Sequence, residues 1–191
     1  SFNDIQDDGA IAIGDSLKSH KALKELKLRE CGITAKGAKE LAGALSVNGV
    51  LTSLDLSDNY LDAEAGKVLA KALEVNGVMT KLLLSRNPIR DEGAIAIGES
   101  LKTNSTLEEL ELKSCGIGAK GGKAICGGLQ AGMAVLTNLD VRLNRLNDDA
   151  KQSLREATDL RIVKEFPTGS FNRVAHVISC LLYTSDAADD T

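Results

Sequence analysis

The feature that most restricts how this chain can fold is a period of 28 residues. "IQDDGAIAIGDSLK" (5–18) returns almost unchanged as "IRDEGAIAIGESLK" (89–102), an offset of 84, or three times 28. Around these run "LKELKLRECGI" (23–33), "LTSLDLSDNYL" (51–61), "MTKLLLSRNPI" (79–89), "LEELELKSCGI" (107–117) and "LTNLDVRLNRL" (136–146). The first four starts lie 28 apart and the last 29, with one extra residue near Gly132. All five fit one template, L-x-x-L-x-L-x-x-N/C-x-L. Recurrence at this length marks stacked supersecondary units that share a core with their neighbours.

Each template position has a physical reason. Leu54 and Leu56 are two apart, so a short strand sends both to one face. Leu51 and Leu61 enter from either side, where the chain turns on and off the strand. Asn59 can hydrogen-bond backbone groups that the turn would otherwise bury unpaired. Asn87 and Asn144 hold the same place, and Cys31 and Cys115 substitute a small, burial-tolerant side chain with a weak donor. The second half of each unit has helical spacing, as in Ala65, Leu69 and Leu73. Gly37/Leu41/Leu45, Gly93/Ile97/Leu101 and Gly121/Ile125/Leu129 are the matching sets. Asn48-Gly49 and Asn76-Gly77 are expected to end their helices in left-handed caps.

Five consecutive matches identify a resemblance to the leucine-rich repeat, and the 28-residue unit with a helical half is similar to its ribonuclease-inhibitor-like subclass. The resemblance implies an α/β solenoid, a horseshoe arc with parallel strands on the concave face and helices on the convex face. Elementary dimensions agree, since strands pair about 4.8 Å apart while helices with side chains are about 10 Å wide. Units tight on one side and wide on the other must curve. No unit buries enough apolar surface to offset its own ordering entropy, so stacking is obligatory.

The array is expected to occupy residues 1–160: a partial first repeat, then units starting at 23, 51, 79, 107 and 136. Residues 161–179 lose the template and read as a cap or a divergent segment. Residues 180–191, "CLLYTSDAADDT", match the translation of a transposase end joined to a sequencing adapter. They are expected to take no part in the fold. The chain starts mid-unit on Ser rather than Met, and reads as a fragment of a longer array.

Aromatics make up only 3% of the chain and Trp is absent, so aliphatic residues must fill the core. The formal charge of −4 argues against a nucleic-acid partner. No apolar run approaches a membrane span, which takes about 18 residues. "GAKGGK" (118–123) fails the P-loop spacing and falls in register with "TAKGAK" (34–39), so it belongs to packing. Asn104-Ser105-Thr106 fits a glycosylation acceptor, but Asn104 shares its register with Asn48 and Asn76 and is better read as ending a helix. Cysteines too far apart to pair suit a reducing, cytoplasmic setting. The two histidines stand alone, and no metal, cofactor or small-molecule substrate is expected.

What remains is the inner surface, where residues between the buried leucines point outward. The third template position carries Glu25, Ser53, Lys81, Glu109 and Asn138. The fifth carries Lys27, Asp55, Leu83, Glu111 and Asp140, and the seventh Arg29, Ser57, Ser85, Lys113 and Arg142. Arg86 sits at the rim beside Asn87. Such a face is either a solvated surface of compensating charges or a recognition surface. The resemblance implies the second, a non-enzymatic module binding another protein. Five strands offer a footprint of roughly 300 Å², below the about 800 Å² per partner of a standard interface. The rival expectation is GTPase activation, because the Ran GTPase-activating proteins use similar repeats, with Arg86 as the electrostatic candidate.

Overall fold

In the computed structural model, residues 5–131 and 133–165 are described, and side chains as far as Ala157. The remaining part of 161–179 and the whole of 180–191 lie outside the described residues.

Among the described residues six helices alternate with five strands: α1 (Gln6–Leu17), β1 (Glu25–Lys27), α2 (Ala35–Leu45), β2 (Ser53–Asp55), α3 (Ala63–Val75), β3 (Lys81–Leu83), α4 (Arg90–Leu101), β4 (Glu109–Glu111), α5 (Ala119–Gln130), β5 (Asn138–Asp140) and α6 (Asp148–Glu165). The sheet is wholly parallel in the order β1-β2-β3-β4-β5. Leu26, Leu54, Leu82, Leu110 and Leu139 stand side by side at the strand centres. The register advances by 28 except between β4 and β5, where Leu110 meets Leu139. The extra residue is taken up in the connection between α5 and β5. Helix α6 runs on through Glu165, past the boundary expected at residue 160.

The core is the ladder that the template specifies. Leu51, Leu54, Leu56 and Leu61 are fully buried, as are Met79, Leu82, Leu84 and Ile89 in the next unit. Leu69, Leu73, Ile97, Leu101, Ile125 and Leu129 close the helix side. At the first edge Leu23 and Leu26 are only partly buried, because no strand pairs outside β1 among the described residues.

Two ladders of polar side chains bind the units together, one at each end of the strands. At the exit end, Asn59 Oδ1 accepts from the Cys31 and Ile33 amides, both at 3.0 Å, while its Nδ2 donates to Leu28 O and Leu56 O. Asn87 and Asn144 repeat the pattern. Cys115 keeps only the donor half, with Sγ 3.3 Å from Leu84 O. Ile89 N, lacking the acceptor an asparagine would supply, turns to Asn87 O instead.

At the entry end, Asn48, Asn76 and Asn104 are all buried. Asn76 Nδ2 donates to Leu45 O and Asn48 O of the preceding unit, and its Oδ1 accepts from Val78 N and Met79 N. The expected left-handed caps are not found. Asn76 is extended (φ −81°, ψ 118°), and Gly49 and Gly77 are not among the residues with positive φ. Side-chain bonding to two units replaces the backbone cap. Asn104 does the same through Nδ2, the atom a glycan would need, so the acceptor motif is structural. His20 stands in register with these asparagines, and its Nδ1 accepts from Ala22 N and Leu23 N as an asparagine oxygen would.

The 84-residue echo has its own cause. Asp7 at the head of α1 accepts from Thr34 N, Thr34 Oγ1 and Gly37 N, and so caps α2 from the unit before it. Asp91 at the head of α4 caps α5 likewise, through Gly118 N and Gly121 N. Burial pushes the Asp7 carboxyl up, but these hydrogen bonds outweigh it and hold the carboxyl below its ordinary value. Gln6 and Arg90, just before these aspartates, are left-handed, and their amides donate to Cys31 O and Cys115 O. Each Asp cap thus sits one unit ahead of a Cys-Gly turn. Gly32 (φ 70°) and Gly116 (φ 69°) supply the left-handed residue after each cysteine.

Candidate functional site

The concave surface is built by the register of the sheet. Because strand partners are fixed, Glu25, Ser53, Lys81, Glu109 and Asn138 form one row, and Lys27, Asp55, Leu83, Glu111 and Asp140 a second beside it. The third, from Arg29 to Arg142, follows where the strands end. All fifteen positions are therefore brought to one face, with Leu83 at its centre.

Much of the charge on that face is spent internally. Lys81 Nζ lies 2.8 Å from Glu109 Oε2, and this hydrogen bond holds the Lys81 ammonium above its ordinary value. Glu109 also accepts from Asn138 Nδ2. Ser85 Oγ donates to Glu111 at 3.2 Å. Arg142 grips the buried carboxylate of Asp140 with two nitrogens, at 3.0 and 2.8 Å. Asp55 turns back to accept from Ser57 N. Glu109 and Asp140 are thus paired with cations, while Asp55 and Glu111 accept from neutral donors. Glu25, Lys27 and Lys113 have no such bond among the described residues, and Leu83 is half-buried between Asp55 and Glu111.

Arg86 is not on the strand row. It occupies the turn after β3, left-handed at φ 58°, with its guanidinium 3.3 Å from Asp58. Asp58 also receives Arg29 at 3.0 Å, so three successive units are tied at this rim. Glu30, Asp58, Ser114 and Leu143 hold the same left-handed position in their units.

An open cleft of about 820 Å³ lies on this rim, between the turns of β3 and β5, lined by Arg86, Arg90, Ser114, Gly116, Leu143 and Arg145 among others. Arg90, Leu143 and Arg145 were not among the residues expected from sequence. The template leaves their positions unspecified, so spacing gave no signal for them.

The three described cysteines are structural. Burial pushes the Cys115 thiol up to about 11, and Cys31 and Cys126 upward as well, so none offers a thiolate near neutrality. Among the described residues no cluster of metal-ligating side chains occurs, and no helix is long and apolar enough to cross a membrane.

Short parallel strands stepping by 28 residues, once by 29, each followed by a helix, define a leucine-rich-repeat solenoid of the ribonuclease-inhibitor-like type. Comparison with known families agrees. The Leucine Rich repeat model matches residues 1–14, 20–42, 47–70, 75–98 and 103–126, so the chain belongs to the leucine-rich repeat family. No curated protein sequence matches. Among solved structures, the chain is similar to leiomodin-1 actin-binding site 2 (TM-score 0.65, 21% identity, covering 83% of this chain and 90% of that one). It is also similar to the tropomodulin C-terminal domain of Caenorhabditis elegans (TM-score 0.66, 12% identity, 81% and 94% covered). At these identities the likeness speaks to the fold.

Proposed function

We propose that the protein is a non-catalytic recognition module that holds another protein against its concave sheet. The observation that carries this reading is Leu83. It is an apolar side chain at the centre of a curved, otherwise polar face, flanked in register by Asp55 and Glu111. A solvated surface has no use for leucine there, whereas a contact needs an apolar anchor inside a polar rim. Lys27, Arg29, Lys113 and Glu25 supply charges around it, with Lys81, Ser85, Arg86, Glu109, Asp140 and Arg142 as a pre-ordered frame. One similar structure is an actin-binding site of leiomodin-1, which supports a protein as the partner and makes actin the first to try.

Photo-crosslinking tests the surface without presuming the partner. A photoreactive residue at Ser53 on the concave face should give a discrete adduct in a cell extract, and one at Lys71 on the convex helices should not. Leu83→Ala should weaken that adduct about tenfold with the circular dichroism unchanged. Equal adducts from both faces would overturn the reading. No observation favours the GTPase-activating alternative, since the guanidinium proposed for it is shared with Asp58.

A further inference from the structure

The rim cleft has a simple origin in the sequence. Every unit places two residues on this rim, one before and one after the Asn/Cys position. In the third unit these are Arg86 and Pro88, and in the fifth Leu143 and Arg145. Between them the fourth unit has Ser114 and Gly116, so a notch opens where one side chain is short and the other is missing. Arg90 reaches in from the head of α4, close enough that its Cγ lies 3.9 Å from where a Cβ on Gly116 would stand.

The lining holds three guanidinium groups against two carboxylates. Arg90 and Arg145 are exposed and form no salt bridge among the described residues, and Arg86 has only its long pairing to Asp58. Of the two lining acids, Asp91 is committed to the N-terminus of α5 through two amides. That leaves Glu92 alone against the arginines. Leu143 adds an independent sign. It is 65% exposed and left-handed at φ 56°, although leucine gains nothing from exposure and is poorly suited to that backbone. Neither packing nor turn geometry accounts for a leucine there.

We propose that this notch docks an acidic peptide segment of a protein partner, with carboxylates held by Arg90 and Arg145 and an apolar side chain resting on Leu143. Guanidinium groups suit this role because they meet carboxylates with paired, directed hydrogen bonds. The proposal rests on the reading of the repeats as a protein-binding module, but on a different surface from the concave sheet.

The test is fluorescence anisotropy with a labelled peptide of alternating glutamate and leucine, against a control in which glutamine replaces glutamate. The wild-type protein should bind the acidic peptide at low salt, and the control at least about tenfold more weakly. Arg90→Gln with Arg145→Gln should cost about tenfold or more. Ser114→Tyr should do the same by filling the notch; Arg86 and Leu143 show that a large side chain is accepted at that backbone position. Leu83→Ala should leave the affinity unchanged, which separates failure of this proposal from failure of the concave reading. No binding by the wild type, equal binding of both peptides, or insensitivity to the double arginine change would overturn it. So would equal binding of a short DNA single strand through the same arginines, or loss of peptide binding in Leu83→Ala.

Discussion

Thr106 stands where three of the other four units place Val50, Val78 and Val135, just ahead of the first aliphatic of the template. Its amide is satisfied by Asn104 Oδ1, but its hydroxyl is buried with no hydrogen-bond partner among the described residues. An orphaned buried hydroxyl costs about 1–3 kcal/mol relative to a satisfied one, and valine has the same shape without it. Thr106→Val is therefore expected to stabilise the protein by about 1 kcal/mol, read as a higher urea midpoint at unchanged slope. A lower midpoint would mean that the hydroxyl has found a partner. At this scale the sequence was legible wherever a residue type recurs for one reason: the Asn59, Asn87 and Asn144 ladder follows from what an amide side chain can do. It was not legible at Glu30, Asp58, Arg86 and Leu143, whose left-handed backbone is imposed by the turn and carries no glycine to announce it. Nor could composition show His20 replacing an asparagine, since only the fold reveals that Nδ1 faces two amides.

Between elements, the convex side is governed by how closely helices approach. Gly98 in α4 packs against α5, and a Cβ there would overlap the Ala124 carbonyl and stand 2.8 Å from Ile125 N. Gly43 in α2 has nothing within 4 Å of the same point. Alanine is favoured over glycine in a helix interior by about 1 kcal/mol, and at Gly43 only that preference operates. At Gly98 the backbone of α5 must move, at an overpacking cost of about 1–3 kcal/mol. Gly43→Ala should thus raise the thermal midpoint while Gly98→Ala lowers it, in side-by-side calorimetry. A rise in both would show that α4 and α5 can separate freely. The 84-residue echo was visible as text, but its cause was not. Asp7 and Asp91 cap helices belonging to the next unit, and a contact between units has no signature within either one.

Over the whole molecule, stability is shared between neighbours, because strand pairing, both side-chain ladders and helix packing all join adjacent units. In such an array a lesion is felt according to where it falls. Leu82 is fully buried at the middle strand, and without its unit the flanking pieces hold two strands each, fewer than a solenoid needs to stand. Leu26 lies on the first strand, half-buried, and if its unit opens four strands remain stacked. Leu82→Ala is therefore expected to lower the stability of the entire array by about 2–5 kcal/mol in one cooperative transition. Leu26→Ala should instead fray the first unit while β3 to β5 unfold at nearly the wild-type urea concentration. Hydrogen exchange resolves the two cases, since the first variant should lose protection throughout and the second chiefly in α1, β1 and α2. Equal, uniform loss of protection in both would show that the molecule folds as one indivisible unit rather than as neighbours coupled in a row.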